Sequence, residues 1–476
     1  MQVPELQTTN KKKILLLSDD LRLHSGVGTM SKEFVMGTLH KYDWVQIGGA
    51  VKHPDENKVI DMCKAATDYT GVQDAYLKVY ATSGYGNQHI LRQVIQIEKP
   101  DAIMHFTDPR FWGWLYDMEH ELRQTMPLLY YNIWDDLPFP HWNEDFYETC
   151  DLLMAISKQT YNINKHVCQR KPRVEGVDLA YVPHGINTDI FYPIDVNNGE
   201  YIAFKDKLLN GKEYDFLALF NSRNIHRKRP SDLMLAFKKF CDTLPSDSAK
   251  KCALIMHTDI SDQAGTDLLA VKHALCPDYD IIFSNRKLPP LQLNYLYNIA
   301  DITCNPSSAE GFGLSHMESL MAGTPTIATV VGGLQDQMGF ICEDGEPFNV
   351  KHLTKDIPSN STGEISEDWG KWVYPLWPQM NLQGSPMTPY IYDSRPSVKS
   401  IEDGFAWWYN MSKEQRVVCG EAGRKWAIDN GFTSEGMCDA MITSIEGCFD
   451  TWKPRAKFTL INTNVEKITY PHGALI

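Results

Sequence analysis

Two glutamates stand eight residues apart around a glycine-rich turn in the stretch AEGFGLSHMESLMAGTP. Gly311 and Gly313 let the backbone approach a ligand closely, and a helix that begins near Leu314 has unpaired N–H groups in its first turn. These N–H groups and the helix dipole favour an anion such as a diphosphate. Glu310 and Glu318 therefore flank a predicted anion site.

A carboxylate beside an anion is electrostatically unfavourable, so the two glutamates need neutral partners. Sugar hydroxyls are suitable, because one carboxylate accepts two hydrogen bonds from a diol. We therefore predict that Glu310 and Glu318 bind hydroxyls. The alternative is structural: Glu310 would be a charge at the helix entrance, and Glu318 a surface residue.

The stretch NSRNIHRKR places four cations within seven residues, directly after an apolar run. The guanidinium of Arg223 can contact two phosphate oxygens at once, and Lys228 can act as a compact charge. This loop is expected at the carboxyl end of a strand, at the mouth of a cleft. Two alternatives stay open for the loop, a solvated basic segment and a nucleic-acid contact.

The elements that must position these residues are visible as short apolar runs that alternate with helix-like segments, the pattern of βαβ units. The first series has predicted strands at 14–17, 44–47, 102–106, 128–133 and 152–156. The second has predicted strands at 216–220, 252–257, 281–284, 302–305 and 326–331. Binding sites in such sheets lie at the carboxyl ends of the strands, so two facing sheets predict a cleft between them.

The fold class is therefore predicted to be α/β with two doubly wound domains. The first domain is expected at 1–193, a linker at 194–211 and the second domain at 212–440. The segment 338–400 is rich in Pro, Gly, Asn, Ser and Trp and is expected to be an irregular insertion. Residues 441–476 are expected to form a helix and tail that pack back on the first domain.

The composition limits the possible functions. The formal net charge of −14 argues against a broad basic face for nucleic acid, although a local basic cleft is compatible with it. The 11 cysteines contain no Cys-x-x-Cys pair, which excludes a regular zinc or disulfide framework and fits a reducing compartment. No signal-like segment and no apolar run of membrane-spanning length is present, so we expect a cytoplasmic protein, or one of the host cytoplasm if the source is a virus.

Three stretches together resemble a known family. VPHGINTDIFYP, then NSRNIHRK, then NPSSAEGFGLSHMESLMAGTPTIATVVGGLQD are similar in order, spacing and strand context to signatures of the retaining GT-B glycosyltransferases of family four, the glycosyltransferases group 1. The resemblance covers residues 182–336 and is weaker before them. It implies a GT-B fold, with two Rossmann-like domains that face a cleft.

The resemblance also implies roles for individual residues. Arg223 and Lys228 would hold the diphosphate of a nucleotide-sugar donor, Glu310 the transferred sugar and Glu318 the ribose. Backbone N–H groups would face the sugar and phosphates at Gly311, Phe312, Gly313 and Leu314. In the first domain, Gly26 and Gly28 would approach donor phosphate and acceptor. A Rossmann dinucleotide fingerprint is the competing interpretation of that glycine pair, and it fails because Ser31 stands where the third glycine belongs.

The family also carries a histidine at the end of a strand beside the reacting sugar. Here His105 is present, but the family position aligns with Thr107, and the two residues share one strand face. We expect one of them to face the cleft, with a buried core histidine as the alternative for His105. No metal site is expected, because the single Asp-x-Asp, at Asp278 and Asp280, precedes a predicted strand instead of following one.

The expected activity is transfer of a sugar from a UDP-, GDP- or ADP-linked donor to an acceptor hydroxyl, with retention and without metal or other cofactor. The acceptor would be a glycan, a lipid-linked glycan or a hydroxymethylated base of viral DNA. Aromatic residues dense at 111–116 and 134–142 would lie in the acceptor half. Three alternatives remain: an epimerase, a phosphorylase, and a non-catalytic binding module of the same fold.

Overall fold

The apolar run at 14–17 lies inside the first strand of the structure, and all four side chains are fully buried. Ile14 and Leu16 pack into one hydrophobic core, whereas Leu15 and Leu17 pack into another on the opposite face of the sheet. A strand covered on both faces is continuous in apolar residues, as this run is. The structure is a computed structural model, and it describes residues 11–168 and 177–455.

The first half of the described chain forms a sheet flanked by helices. Its strands are β1 (Lys12–Asp19), β2 (Tyr42–Ala50), β3 (Val59–Asp61), β4 (Leu77–Ser83), β5 (Ala102–Phe106), β6 (Leu128–Asn132), β7 (Leu152–Ala155) and β8 (Asp178–Tyr181). Its helices are α1 (Gly26–Thr38), α2 (Cys63–Thr70), α3 (Gln88–Glu98), α4 (Gly113–Tyr116), α5 (Glu119–Leu122), α6 (Glu144–Glu148) and α7 (Lys158–Cys168). The strand order is β3-β4-β2-β1-β5-β6-β7-β8, and β3 alone is antiparallel to its neighbour.

The second half repeats the arrangement. Its strands are β9 (Phe216–Asn221), β10 (Cys252–His257), β11 (Asp280–Ser284), β12 (Ile302–Asn305), β13 (Thr326–Thr329) and β14 (Val373–Leu376), in the order β11-β10-β9-β12-β13-β14 and all parallel. Its helices are α8 (Gly199–Leu209), α9 (Pro230–Asp242), α10 (Ser246–Ala249), α11 (Leu268–Leu275), α12 (Pro290–Ile299), α13 (Leu314–Met321), α14 (Val398–Tyr409), α15 (Lys413–Asp429) and α16 (Ser434–Thr451).

Both sheets are doubly wound, as the sequence predicted. The chain leaves the central strand β1 for β2 on one side and later returns to β5 on the other. In the second sheet β9 lies between β10 and β12 in the same way. Ligands bind where the strand order reverses, outside the carboxyl ends of the strands. The loops after β1, β5, β9 and β12 are therefore the ones that position a site.

The segment 338–400 differs from the expectation. It contains β14, which extends the second sheet, and the antiparallel hairpin of β15 (Gln379–Ser385) and β16 (Thr388–Arg395). The strand β14 was missed because it has only four residues and includes Pro375, a residue confined to sheet edges. The prediction that this segment is irregular was therefore wrong for these three strands.

The two halves touch directly. The last helix, α16, packs on α1, and Gly37 lies so close to Cys438 that an added Cβ would be 2.4 Å from its Sγ. On the other side of the cleft, Asp336 accepts hydrogen bonds from the Lys158 backbone N–H at 2.8 Å and from the Tyr181 hydroxyl at 3.1 Å. The strand-like piece at 458–461 lies outside the described residues.

Candidate active site

A cavity of about 850 Å³ lies between the carboxyl edges of the two sheets. Both halves of the described chain line it. From the first half come His24, Ser25, Gly26, Val27, Thr29, Phe106, Asp108, Pro109, Arg110, Tyr130, Ile133, Trp134, Asp135, Asp136, Ile156 and His184. From the second half come Asn221, Ser222, Arg223, Arg227, Lys228, His257, Lys287, Leu288, Leu293, Glu310, Gly311, Phe312, Gly313, Leu314, Ser315, Glu318, Thr388 and Ile391.

The glycine turn before α13 brings backbone N–H groups to this cavity. Gly313 has φ +92°, a left-handed conformation, and a Cβ there would lie 2.4 Å from Leu334. Gly311 packs against the first half, where a Cβ would lie 2.8 Å from Ile156. No side chain caps α13. The first-turn N–H groups at Leu314 and Ser315, which line the cavity, are therefore available to an anion.

Lys228 and Glu310 meet at the base of the cavity. The Lys228 ammonium donates to Glu310 Oε1, which also accepts from the Ser307 hydroxyl at 2.9 Å. The Arg227 guanidinium lies 3.7 Å from the other carboxylate oxygen. Burial of Glu310 favours its neutral form, but the charges of Lys228 and Arg227 outweigh burial and hold the pKa of Glu310 below its usual range. Glu310 is therefore an anion that two cations surround.

Glu318 lies on helix α13 and lines the same cavity. Its carboxylate accepts a hydrogen bond of 2.6 Å from the Tyr297 hydroxyl, and that hydroxyl accepts one of 2.7 Å from the Asn221 amide. Burial raises the pKa of Glu318 to about 7, and the bond from Tyr297 opposes this shift in part. The carboxylate retains a free oxygen toward the cavity that it lines.

Arg223 stands at the cavity mouth. Its side chain is 65% exposed and donates to the Asp262 carboxylate at 2.7 Å. An exposed ion pair of this kind contributes little to stability, so Asp262 orients the guanidinium at small energetic cost. If Arg223 turns toward a phosphate in the cavity, the Asp262 carboxylate, which is 11% exposed, keeps its hydrogen bond of 2.9 Å from the Ala264 N–H.

Of the two glycines of the first half that were predicted to lie in the site, one lines the cavity and the other does not. Gly26 lines the cavity, with Leu314 3.7 Å from the position of an added Cβ. Gly28 is buried beneath the loop after β1, where a Cβ would meet the carbonyl oxygens of Leu23 at 2.7 Å and Asp20 at 2.9 Å. The structure does not bring Gly28 to the cavity. Its small size instead lets this loop close over the start of α1.

His105 was expected near the cleft, and the structure places it on the opposite face of β5. Its ring is fully buried, with Nδ1 2.7 Å from the Tyr116 hydroxyl and Nε2 3.0 Å from the Thr107 hydroxyl. Burial lowers the pKa of His105 to about 3, so the ring is neutral. Phe106 and Asp108 line the cavity instead, because successive strand residues point to opposite faces. His105 is a core histidine, and Thr107 is its partner.

Six charged residues that line the cavity were not predicted as site residues: Asp108, Arg110, Asp135, Asp136, Arg227 and Lys287. Arg227 was passed over in favour of its neighbour Lys228, and Asp135 and Asp136 were noted only as part of an aromatic stretch. Burial raises the pKa of both aspartates, and for Asp136 the neighbouring charge of Asp135 adds to the effect. A usable signal existed: two adjacent carboxylates directly follow a predicted strand at the binding edge of the sheet.

Aspartate, glutamate and histidine side chains line the cavity, but among the described residues no three of them bring their ligand atoms within 4.8 Å of one another. Asp280 lies at the amino end of β11, where it accepts from the Tyr214 hydroxyl at 2.9 Å. Elsewhere in the described chain Cys342, Asp344 and His352 cluster. There the thiol faces Nδ1 of the ring and the carboxylate faces Nε2, and this group lies outside the residues that line the cavity.

Comparison with known proteins finds a matching family for part of the chain and solved structures with a similar fold. Residues 203–340 match the family of glycosyl transferases group 1. A D-inositol 3-phosphate glycosyltransferase of Geodermatophilus obscurus is 31% identical over 159 residues, which are 32% of this chain and 33% of that protein. The alpha-monoglucosyldiacylglycerol synthase of Acholeplasma laidlawii is 26% identical over 219 residues, 44% of this chain and 50% of that protein. The chain thus spans a third to a half of the length of these relatives.

The structural neighbours share the whole architecture. The sucrose-phosphate synthase of Thermosynechococcus elongatus has a TM-score of 0.61 at 14% identity and covers 92% of this chain and 100% of its own. The Anabaena protein HepE, in complex with UDP and glucose, has a TM-score of 0.61 at 12% identity, with the same coverage. These likenesses confirm the GT-B fold. Within the described residues, no helix has both the length and the apolar character required to cross a membrane.

Proposed function

We propose that this chain, a GT-B protein whose residues 203–340 match the glycosyl transferases group 1 family, transfers a sugar from a nucleotide diphosphate sugar to an acceptor hydroxyl. The observation that carries the proposal is the convergence of three distant segments on one cavity. The basic loop after β9, the glycine turn before α13 and the loop after β1 all line it. A diphosphate, a sugar and a nucleoside each find a chemically matched partner there.

The diphosphate would lie at the N-terminus of α13. The N–H groups of Leu314 and Ser315, with Arg223 and Lys228, would stabilise the negative charge that develops on the leaving diphosphate. Lys287 lines the cavity from the second half of the chain and adds a further cation. These groups would supply the stabilisation without a metal ion, so we propose a metal-independent reaction. Removal of divalent cations with EDTA should leave the rate unchanged.

The two glutamates would hold the hydroxyls on either side of the diphosphate. Glu310 is anionic and can accept hydrogen bonds from the transferred sugar once Lys228 turns toward phosphate. Glu318, held by Tyr297, would accept from the ribose. Binding a sugar thus exchanges an internal ion pair for two ligand contacts. This exchange would keep the empty site free of an unpaired buried charge.

The family resemblance supports retention of the anomeric configuration, with attack on the same face of the sugar. Burial lowers the pKa of two histidines that line the cavity. His184, with a pKa of about 3, has its Nδ1 2.8 Å from the Tyr131 hydroxyl, and His257 has its Nδ1 2.9 Å from the Ser284 hydroxyl. We propose that a donor phosphate oxygen assists deprotonation of the acceptor and that the protein contributes positioning. Proton NMR of the product formed in the first minutes would show the same anomer as the donor; an inverted product would reject this mechanism.

A nucleotide panel is the direct test of the donor site. Thermal shifts with UDP, GDP, ADP and their glucose conjugates should single out one nucleotide, and UDP comes first because structural neighbours were crystallised with it. The shift should disappear in Lys228→Ala and persist in Lys250→Ala, which changes an exposed lysine of the same half that does not line the cavity. A chain that responds to none of these nucleotides would contradict the proposal.

A further inference from the structure

The hairpin β15–β16 belongs to the second half of the chain, yet it reaches across the cavity to the first half. At its tip the Arg110 guanidinium donates to the Met387 carbonyl at 3.0 Å and to the Thr388 hydroxyl at 2.6 Å. Along β16 the Tyr390 ring stands edge-on against Trp142, with ring centres 4.5 Å apart. The Tyr392 N–H donates to the Leu137 carbonyl at 2.6 Å. Three separate contacts therefore fasten the hairpin to the first half.

The base of the hairpin is fixed to the second half by ion pairs. Arg229 pairs with Asp393, and the Arg395 guanidinium contacts both oxygens of Asp232, at 2.7 and 3.0 Å. Thr388 at the tip and Ile391 farther along β16 line the cavity. The hairpin is thus anchored at both ends, and its inner face forms a wall of the cavity on the side of the first half.

The charges of the cavity are divided between its two halves. Among the described lining residues, the second half contributes four cations and two carboxylates (Arg223, Arg227, Lys228, Lys287, Glu310 and Glu318). The first half contributes one cation and three carboxylates (Arg110, Asp108, Asp135 and Asp136). His24 and His184 are the histidines of this half, and His184 is neutral. A diphosphate is attracted by the cations of the second half, whereas the first half offers one cation, which is paired with Asp108, and two aspartates whose pKa burial raises.

The cation of the first half is not free to bind an anion. Its Nε and Nη2 donate to the Asp108 carboxylate, and its Nη1 donates to the hairpin at Met387 and Thr388. All three nitrogens of Arg110 are therefore occupied. Recognition of a phosphorylated ligand requires free guanidinium or ammonium groups. Carboxyl and hydroxyl groups, which this side of the cavity offers, suit neutral hydroxyls instead.

We infer that the hairpin of residues 379–395 completes an acceptor subsite that selects an uncharged polyhydroxyl acceptor, a neutral sugar or glycan, over phosphorylated sugars and DNA. This inference rests on the proposed function, since it concerns the second substrate of the same cavity. This preference for an uncharged acceptor would distinguish the chain from the relatives named D-inositol 3-phosphate glycosyltransferase. The hairpin supplies the wall and the tip contact. The charge selection follows because the carboxyl groups of Asp108, Asp135 and Asp136 bond hydroxyls, while Arg110 is held by Asp108 and the hairpin and is not free for a phosphate.

The test uses two hairpin variants and one control. Gln379 and Arg395 are paired across the base, so residues 380–394 can be replaced by Asn-Gly, a two-residue turn that joins paired positions. Tyr390→Ala removes the contact with Trp142 and leaves the hairpin in place. Gln383→Ala, an exposed position of the same hairpin, is the matched control. The thermal shift with nucleotide shows that each variant is folded and that its donor side is intact.

The assay measures nucleotide release from the donor that the panel identifies. Acceptors are offered in pairs, each neutral sugar or oligosaccharide with its phosphorylated counterpart, together with duplex DNA that contains hydroxymethylcytosine. We expect neutral acceptors to have a kcat/KM at least tenfold above their phosphorylated counterparts. The shortened hairpin should lose at least tenfold in acceptor kcat/KM, Tyr390→Ala several-fold and Gln383→Ala less than twofold, with nucleotide binding unchanged in all three.

Several results would overturn the inference. A phosphorylated sugar or DNA as the best acceptor contradicts the charge selection, and so does the failure of every neutral sugar to accelerate nucleotide release. A shortened hairpin with an unaltered acceptor kcat/KM contradicts the role of the wall. A wild-type protein that binds no nucleotide overturns the proposed function, and the acceptor assignment with it. Nucleotide binding together with a phosphorylated acceptor overturns the acceptor assignment alone.

Discussion

The Lys228 ammonium is paired with the Glu310 carboxylate, although the two side chains are 82 residues apart and are proposed to bind different parts of one donor. Each neutralises the other in the empty cavity. Donor binding must therefore separate a buried ion pair and replace both partners. Removing one partner of such a pair leaves a buried charge, which typically costs about 3–5 kcal/mol of stability.

Glu310→Gln should separate binding from transfer. Without the carboxylate, Lys228 is free for phosphate, so the affinity for the nucleoside diphosphate should rise several-fold while sugar transfer falls at least 100-fold. Calorimetric titration with the nucleotide and a transfer assay measure the two effects. Glu346→Gln, an exposed glutamate of the same half, is the control and should change neither. Weaker nucleotide binding by Glu310→Gln would show that the pair does not compete with phosphate.

Arg223→Ala should lower nucleotide affinity without loss of stability. The side chain is 65% exposed, and its pair with Asp262 is a surface ion pair worth at most about 1 kcal/mol. We expect at least a tenfold weaker Kd for the nucleoside diphosphate and a Tm within about 2 °C of wild type. Arg92→Ala breaks a comparable surface pair, with Glu121, and should leave the Kd unchanged. An equal effect of both variants on the Kd would exclude a specific phosphate contact of Arg223.

Glu318 should make stability fall with rising pH. Its pKa is about 7 in the fold, above the ordinary value of 4.5. Below pH 4.5 the group is protonated in both the folded and unfolded states; between 4.5 and 7 the unfolded chain gives up the proton first, so the folded state loses about 3 kcal/mol across this window. In Glu318→Gln the fall in Tm between pH 5 and pH 8 should be smaller than in wild type. An unchanged pH profile in this variant would show that Glu318 titrates normally.

His105→Leu tests the assignment of this residue to the core. The substitution leaves the hydroxyls of Tyr116 and Thr107 without their buried partner, which should cost about 2–4 kcal/mol in the free energy of unfolding. The KM for donor and the kcat of the folded fraction should stay within about twofold of wild type, because the ring does not line the cavity. Urea unfolding and steady-state kinetics at 15 °C measure both. A hundredfold loss of kcat in the folded variant would contradict the assignment of His105 to the core and indicate a role at the reacting centre.

Much of the fold followed from local pattern. Apolar runs bounded by turns predicted five strands of each half, and the predicted strand at 102–106 coincides with β5. Where the signal was weak, the prediction failed. The strand β4 alternates polar and apolar residues, and β14 is a four-residue edge strand. Helix α1 begins at Gly26, where the Ser25 side chain accepts from the Gly28 N–H, a capping contact that the pattern of apolar residues does not reveal.

The sequence by itself determined which loops meet at the cavity, because a parallel sheet brings the carboxyl ends of its strands to one edge wherever the strands occur in the chain. On that basis Arg223, Lys228, Glu310 and Glu318 were expected together, and all four line the cavity. Only the tertiary structure decided that Lys228 pairs with Glu310, that His105 faces the core and that Thr388 reaches Arg110 over 278 residues. These facts depend on strand parity and on the docking of one half against the other. Contacts across such distances are set by the packing of complete elements, and no local pattern of residues contains that information.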